Sequence, residues 1–234
     1  MDPEQIEAVL AAVEAALAAG GPVDPGALGY WKAVAAVKRE PRLVPRFATR
    51  IGAIDRALFE RRVRLRCSLA VGLGLLSLGA LVGLGLVLIG FRSVGRRKDL
   101  ALLLGSGLLI ISTHDLAHVA VGWALGVRFV GVFLGGKGLI EPGLKIDYTS
   151  YLQTSPHRRA WMHAAGAIAT KLVSVLAVAT AARARASALT IRLLAVAAGA
   201  GFLTDLFFST RYSDWRRFRR EMRIARALTG PWSV

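Results

Sequence analysis

The stretch Ser112-Thr113-His114-Asp115-Leu116-Ala117-His118 lies inside an apolar run, Leu100–Leu125, where a chain crossing a bilayer normally carries only hydrocarbon. An Asp at the centre of such a span costs roughly 2.5–3.5 kcal/mol on insertion scales, so ionisable groups there mark a functional site by default. His114 and His118 are four residues apart. On a helix they stand one turn above each other on one face, the spacing that brings two imidazole nitrogens to one metal ion. In the H-E-x-x-H pattern the acid after the first His is a general base and not a ligand. Here that acid is Asp115, one methylene shorter than Glu.

The composition around this stretch is that of a membrane protein. Of 234 residues 54% are apolar, 25 are Gly, and the formal net charge is +16. Four runs reach the ~20 residues needed to cross a hydrocarbon core: Cys67–Phe91, Leu100–Leu125, Trp161–Ala182 and Leu189–Phe208. The first begins only at Cys67, so no cleaved leader is expected. A lone cysteine excludes an internal disulfide and a Cys-built zinc site. The arginines flank the spans, which points to anionic lipid and away from nucleic acid. With both termini cytoplasmic, inner segments hold seventeen cations against six outside, which favours that orientation in the cell membrane.

Three parts are expected: an N-terminal cytosolic helical cap (1–66), a four-span membrane domain (67–208) and a basic interfacial helix (209–234). Asp2-Pro3-Glu4-Gln5 reads as a capping box that opens a helix with Ile6, Leu10, Val13 and Leu17 on its inner face. Further helices are expected over Leu28–Glu40 and from about Pro45. Gly79-x-x-x-Gly83 permits close helix contact, and the small-residue run Gly166–Thr170 suits tight helix packing. Between the second and third spans, Arg128–Leu134 and Leu144–Leu152 read as extended pieces of a re-entrant or hairpin-like loop, whose edge could pair with an extended peptide. Asp147 reads as a turn residue and His157 as solvated. His163 fits an interfacial anchor or a core hydrogen bond better than a ligand.

Lys171 falls inside the third span, about 15 Å from its cytosolic end. Asp115 lies at the same depth, so a buried Asp115–Lys171 pair would account for both charges without a metal. From Asp214 to Leu228 the chain reads as an interfacial helix. Trp215, Phe218, Met222 and Ala225 form its apolar stripe, and six arginines between Arg216 and Arg226 form its cationic face.

The order of motifs resembles the site-2 protease family of intramembrane zinc metalloproteases. His114-Asp115-Leu116-Ala117-His118 matches the family's H-E-x-x-H. Gly166-Ala167-Ile168-Ala169-Thr170 resembles its G-P-x-x-N, with Pro and Asn replaced. Asp205-Leu206-Phe207-Phe208 through Ser213-Asp214-Trp215 resembles N-x-x-P…L-D-G. The resemblance implies a Zn²⁺ ion on His114 and His118, with Asp214 as third ligand; Asp205 is its rival, because it falls within the fourth span while Asp214 is at or past its edge. It implies Asp115 as general base, Lys171 as a candidate for stabilising the oxyanion, and hydrolysis of a membrane-protein or peptide substrate. The alternative is an inactive member of the same fold that binds or scaffolds membrane proteins. A transporter relay is disfavoured because four spans show no repeat.

Overall fold

The computed structural model describes the backbone of residues 1–135, 141–207 and 213–228. In chain order the elements are α1 (Pro3–Ala18), α2 (Tyr30–Arg39), a single 3₁₀ turn (Pro41–Leu43), α3 (Val44–Arg62), β1 (Arg66–Ser68), α4 (Leu69–Arg92), α5 (Gly95–Ala124), β2 (Phe129–Gly135), β3 (Glu141–Ile146), α6 (Tyr148–Gln153), α7 (Pro156–Arg183), α8 (Ala188–Phe207) and α9 (Asp214–Leu228). They fall into two compact units. One takes Met1–Leu69, Trp123–Arg159 and the stretch from Glu221; the other takes Ala70–Gly122 and Ala160–Arg220.

In the first unit α1 starts as its sequence dictates. The Asp2 carboxylate accepts the Gln5 N–H at 2.8 Å, and the Gln5 side chain returns the bond to the Asp2 N–H. Ile6, Leu10 and Val13 recur at helical spacing and are fully buried against Tyr30, Val37, Phe47 and Ile51. Arg50 ties the outer faces of α1 and α3 together through Glu7 at 2.6 Å and Glu14 at 2.7 Å.

A small antiparallel sheet of order β1-β2-β3 completes this unit with α6. Arg66–Ser68 pairs with Phe133–Gly131, a strand too short to be legible in the sequence. Gly131 is required there, because a Cβ would stand 2.6 Å from the Cys67 carbonyl. The extended reading of Leu144–Leu152 holds only to Ile146. Asp147 then caps a helix, its carboxylate accepting the Ser150 N–H at 3.1 Å, so Tyr148–Gln153 is α6 and not strand.

The same unit buries a charged cluster. Glu221, with no exposed surface, pairs with Lys38 and accepts from Arg159 Nε at 2.9 Å; both cations are also buried. The Tyr151 ring lies about 5 Å below each cation, at 5.0 Å from Lys38 and 5.1 Å from Arg159.

In the second unit three helices are long and apolar enough to cross a membrane: α4, α5 and α7. The fourth expected span, Leu189–Phe208, falls on α8, of which Ala188–Thr204 forms a shorter apolar helix among the described residues; Phe208 lies outside them. Glycine brings α4 and α5 into backbone contact. A Cβ on Gly83 would lie 2.9 Å from the Gly105 carbonyl, and one on Gly105 would lie 2.7 Å from the Gly83 carbonyl. Leu75, Leu81, Leu104, Ile111, Leu172 and Val196 all stand exposed. Apolar side chains turned outward along whole helices suit lipid, not water. Gly126, at φ 93°, ends the turn after α5 in a conformation that other residues resist.

Candidate metal centre

The periodicity that placed His114 and His118 on one face of α5 puts their rings 4.8 Å apart, edge to face at 83°. Each ring is aimed by its other nitrogen. His118 Nδ1 lies 2.8 Å from the Met162 carbonyl oxygen, and His114 Nδ1 lies 3.0 Å from Thr170 Oγ1, both on α7. A carbonyl oxygen only accepts, so His118 carries its proton on Nδ1. In the neutral ring Nε2 then presents a lone pair. This second contact on the far nitrogen is how metal-ligating histidines are held.

Asp214, the first residue of α9, supplies the third group. Its Oδ2 is 3.2 Å from His118 Nε2 and 3.4 Å from His114 Nε2. Three electron-pair donors do not converge this way without a positive charge among them, either protons on the rings or a metal ion. Ligands at 2.0–2.1 Å on a tetrahedral zinc are separated by about 3.3–3.4 Å, close to the two carboxylate–imidazole spacings; the three donor atoms all lie within 4.8 Å of one another. His114, His118 and Asp214 together form a group that can hold a metal ion. Burial pushes the Asp214 carboxyl up; when protons and not a metal supply the positive charge, the hydrogen bond from a protonated His118 and the charges of His118, His114 and Arg217 outweigh it. The carboxyl is held below the usual carboxylate range.

Gly166 makes room for this cluster. A Cβ at that position would collide with Nε2 and Cδ2 of His118 and lie 2.9 Å from His114 Cε1. The run Gly166–Thr170 therefore does more than let helices pack: Gly166 leaves the space and Thr170 orients a ring. Asp115 is buried beside the cluster, with both imidazoles and Asp214 within electrostatic range.

The remaining sequence candidates lie elsewhere. Lys171 stands over the Phe202 ring, 5.5 Å from its centroid, and the ion pairs among the described residues do not include one between Asp115 and Lys171. The side chain of Asp205 lies outside the described residues. His163 is buried on α7 but is not one of the ligand group. Asp147 is the cap of α6.

Within the apolar stripe of α9, Phe218 packs edge-on against Trp161 of α7, with centroids 5.5 Å apart, and against its stripe neighbour Trp215 at 5.7 Å. Glu221, missed by the sequence reading, is seven residues after Asp214 and so on the same helix face. Two acids at that spacing among six arginines were the available signal.

No family model, curated protein or solved structure matches this chain.

Proposed function

We propose that this protein is an integral membrane metalloprotease of the site-2 protease type, which hydrolyses peptide bonds in or near the membrane with zinc on His114, His118 and Asp214. The observation that supports it most is the meeting of two imidazole Nε2 atoms and one carboxylate oxygen, 3.2 and 3.4 Å apart, on a helix apolar enough to span a bilayer. Two nitrogens and one oxygen from protein would hold a zinc ion and leave it open to water, as in catalytic rather than structural zinc sites.

Zinc bound there supplies Lewis acidity and a water whose pKa falls toward ~7. The chain's own groups do the rest. Met162 holds His118 with its Nε2 lone pair turned inward, and Thr170 holds the His114 ring with its Nε2 facing Asp214. Asp115 takes a proton from the attacking water as its oxygen bonds to the scissile carbonyl carbon. It then delivers that proton to the amide nitrogen as the C–N bond breaks. With their outward apolar flanks in lipid, α5 and α7 limit the access of bulk water to the acid and the rings.

A second reading, a metal-stapled protein that binds membrane proteins without cleaving them, is favoured by one feature. Asp115 is a methylene shorter than the glutamate its role calls for, and a misplacement of ~1 Å costs on the order of a hundredfold in rate. Purified protein and a transmembrane-helix substrate in one detergent micelle separate the two. The protease reading expects cleavage that a zinc chelator abolishes and Asp115→Asn slows by about a hundredfold or more. Cleavage unchanged in Asp115→Asn removes that carboxylate from the mechanism, and metal-loaded protein that cleaves nothing leaves the binding reading.

A further inference from the structure

Helix α9 sorts its charges by face. Its two acids, Asp214 and Glu221, point inward, one to the imidazoles and one buried with Lys38 and Arg159. Arg216, Arg219, Arg220, Arg223 and Arg226 are all exposed. At 100° per residue these five fall within an arc of about 120°, opposite the two acids. The outward face is therefore cationic and uninterrupted by a carboxylate.

Depth decides what such a face meets. His118 is six residues from the end of α5, about 9 Å inside a span that ends there. Asp214 touches His118, so α9 begins at that level. Arg216 is about 3 Å further along the helix axis, Arg219 and Arg220 about 8–9 Å, and Arg223 about 14 Å. Whatever direction α9 takes, Arg216 stands within about 12 Å of the level at which the α5 span ends. A guanidinium exposed near that level is stabilised where its long stem lets it reach the wet headgroup layer and its phosphates.

We propose that the outward arginine face of α9 is a docking surface for anionic phospholipid headgroups. Docking there holds Asp214 against His114 and His118 from the opposite side of the same helix. The surface itself rests on charge and depth; only the consequence for metal binding rests on the reading of the site as a metal centre. A bilayer that favours one placement of α9 and a metal that needs the same placement stabilise each other, and the effect is reciprocal.

Full-length protein in nanodiscs tests this by amide hydrogen exchange over 214–228. Nanodiscs of phosphatidylcholine alone are compared with nanodiscs that also contain phosphatidylglycerol. Exchange in the anionic discs is expected to be slower by about fivefold or more. The difference is expected to vanish in about 1 M salt, where screening reaches ~3 Å, and in the variant with all five arginines changed to Gln. Equal exchange in both kinds of disc at low salt overturns the proposal. So does protection of α9 by a short oligonucleotide or polyglutamate in neutral discs when phosphatidylglycerol has no effect. If the five-site variant does not fold, the salt series on the unmodified protein decides: slowing that persists in about 1 M salt overturns the proposal. Zinc retention against a chelator, measured in the same discs, is expected to be several-fold longer in the anionic ones. Protein that binds no zinc in either disc counts against the metal centre alone, because the exchange result still judges the surface.

Discussion

At the scale of single residues the site depends on groups that do not themselves bind. Gly166 is the clearest, since any side chain there enters the volume of the His118 ring. Gly166→Ala is expected to lower zinc affinity by at least about tenfold while leaving the helices intact by circular dichroism, because the rings must rotate away from Asp214. Thr170→Val removes the hydroxyl 3.0 Å from His114 Nδ1 without changing shape. A loss of about 10–100-fold in zinc affinity is expected, and Thr170→Ser is expected to restore most of it. Competition with a chromophoric chelator measures both. Unchanged affinity in Thr170→Val would mean that His114 is aimed by packing and not by this contact.

At the scale of elements, three of the four expected spans and the start of α1 were legible because they rest on local chemistry. A capping box at Asp2, a glycine after α5 and runs of 20 or more apolar residues each decide their own segment. The His pair was legible for the same reason, as a spacing within one helix. What escaped depends on partners far away in sequence. β1 exists only because Phe133–Gly131 lies beside it. Tyr148–Gln153 turned helical once Asp147 capped it. The inward turn of Glu221 required Lys38, 183 residues earlier, and Arg159. That cluster yields its own prediction. Glu221→Gln removes the carboxylate that both buried cations share, and Arg159 Nη2 already has no hydrogen-bond partner among the described residues. Removing one member of a buried ion cluster costs about 3–5 kcal/mol. In Glu221→Gln, loss of resistance to limited proteolysis is expected to begin within Met1–Leu69. Proteolysis as slow as in the unmodified protein would show that the cluster is not what holds that unit.

At the scale of the whole molecule, the first unit carries surface ion pairs and a conventional core, and the second combines exposed apolar helices with a polar site. Their sensitivities to pH and to metal therefore separate. Arg50 donates to Glu14 and, with its charge, holds that carboxyl below its ordinary value despite partial burial. A carboxyl lowered on folding adds stability that is fully present above its unfolded value of about 4.5 and is lost as pH falls through the lower folded value. Glu14→Gln is expected to flatten the acid limb of the first unit's unfolding curve, with a small effect at neutral pH because the pair is partly exposed. An unchanged acid limb would mean that the unfolded chain keeps the same pairing.

Metal content tests the central claim most directly. Purified full-length protein, dialysed against buffer with trace zinc and analysed by inductively coupled plasma mass spectrometry, is expected to hold about one zinc per chain. His114→Ala, His118→Ala and Asp214→Ala are each expected to lose it, while Asp205→Ala is expected to keep it. Metal-free unmodified protein, or zinc retained in Asp214→Ala, would contradict that claim.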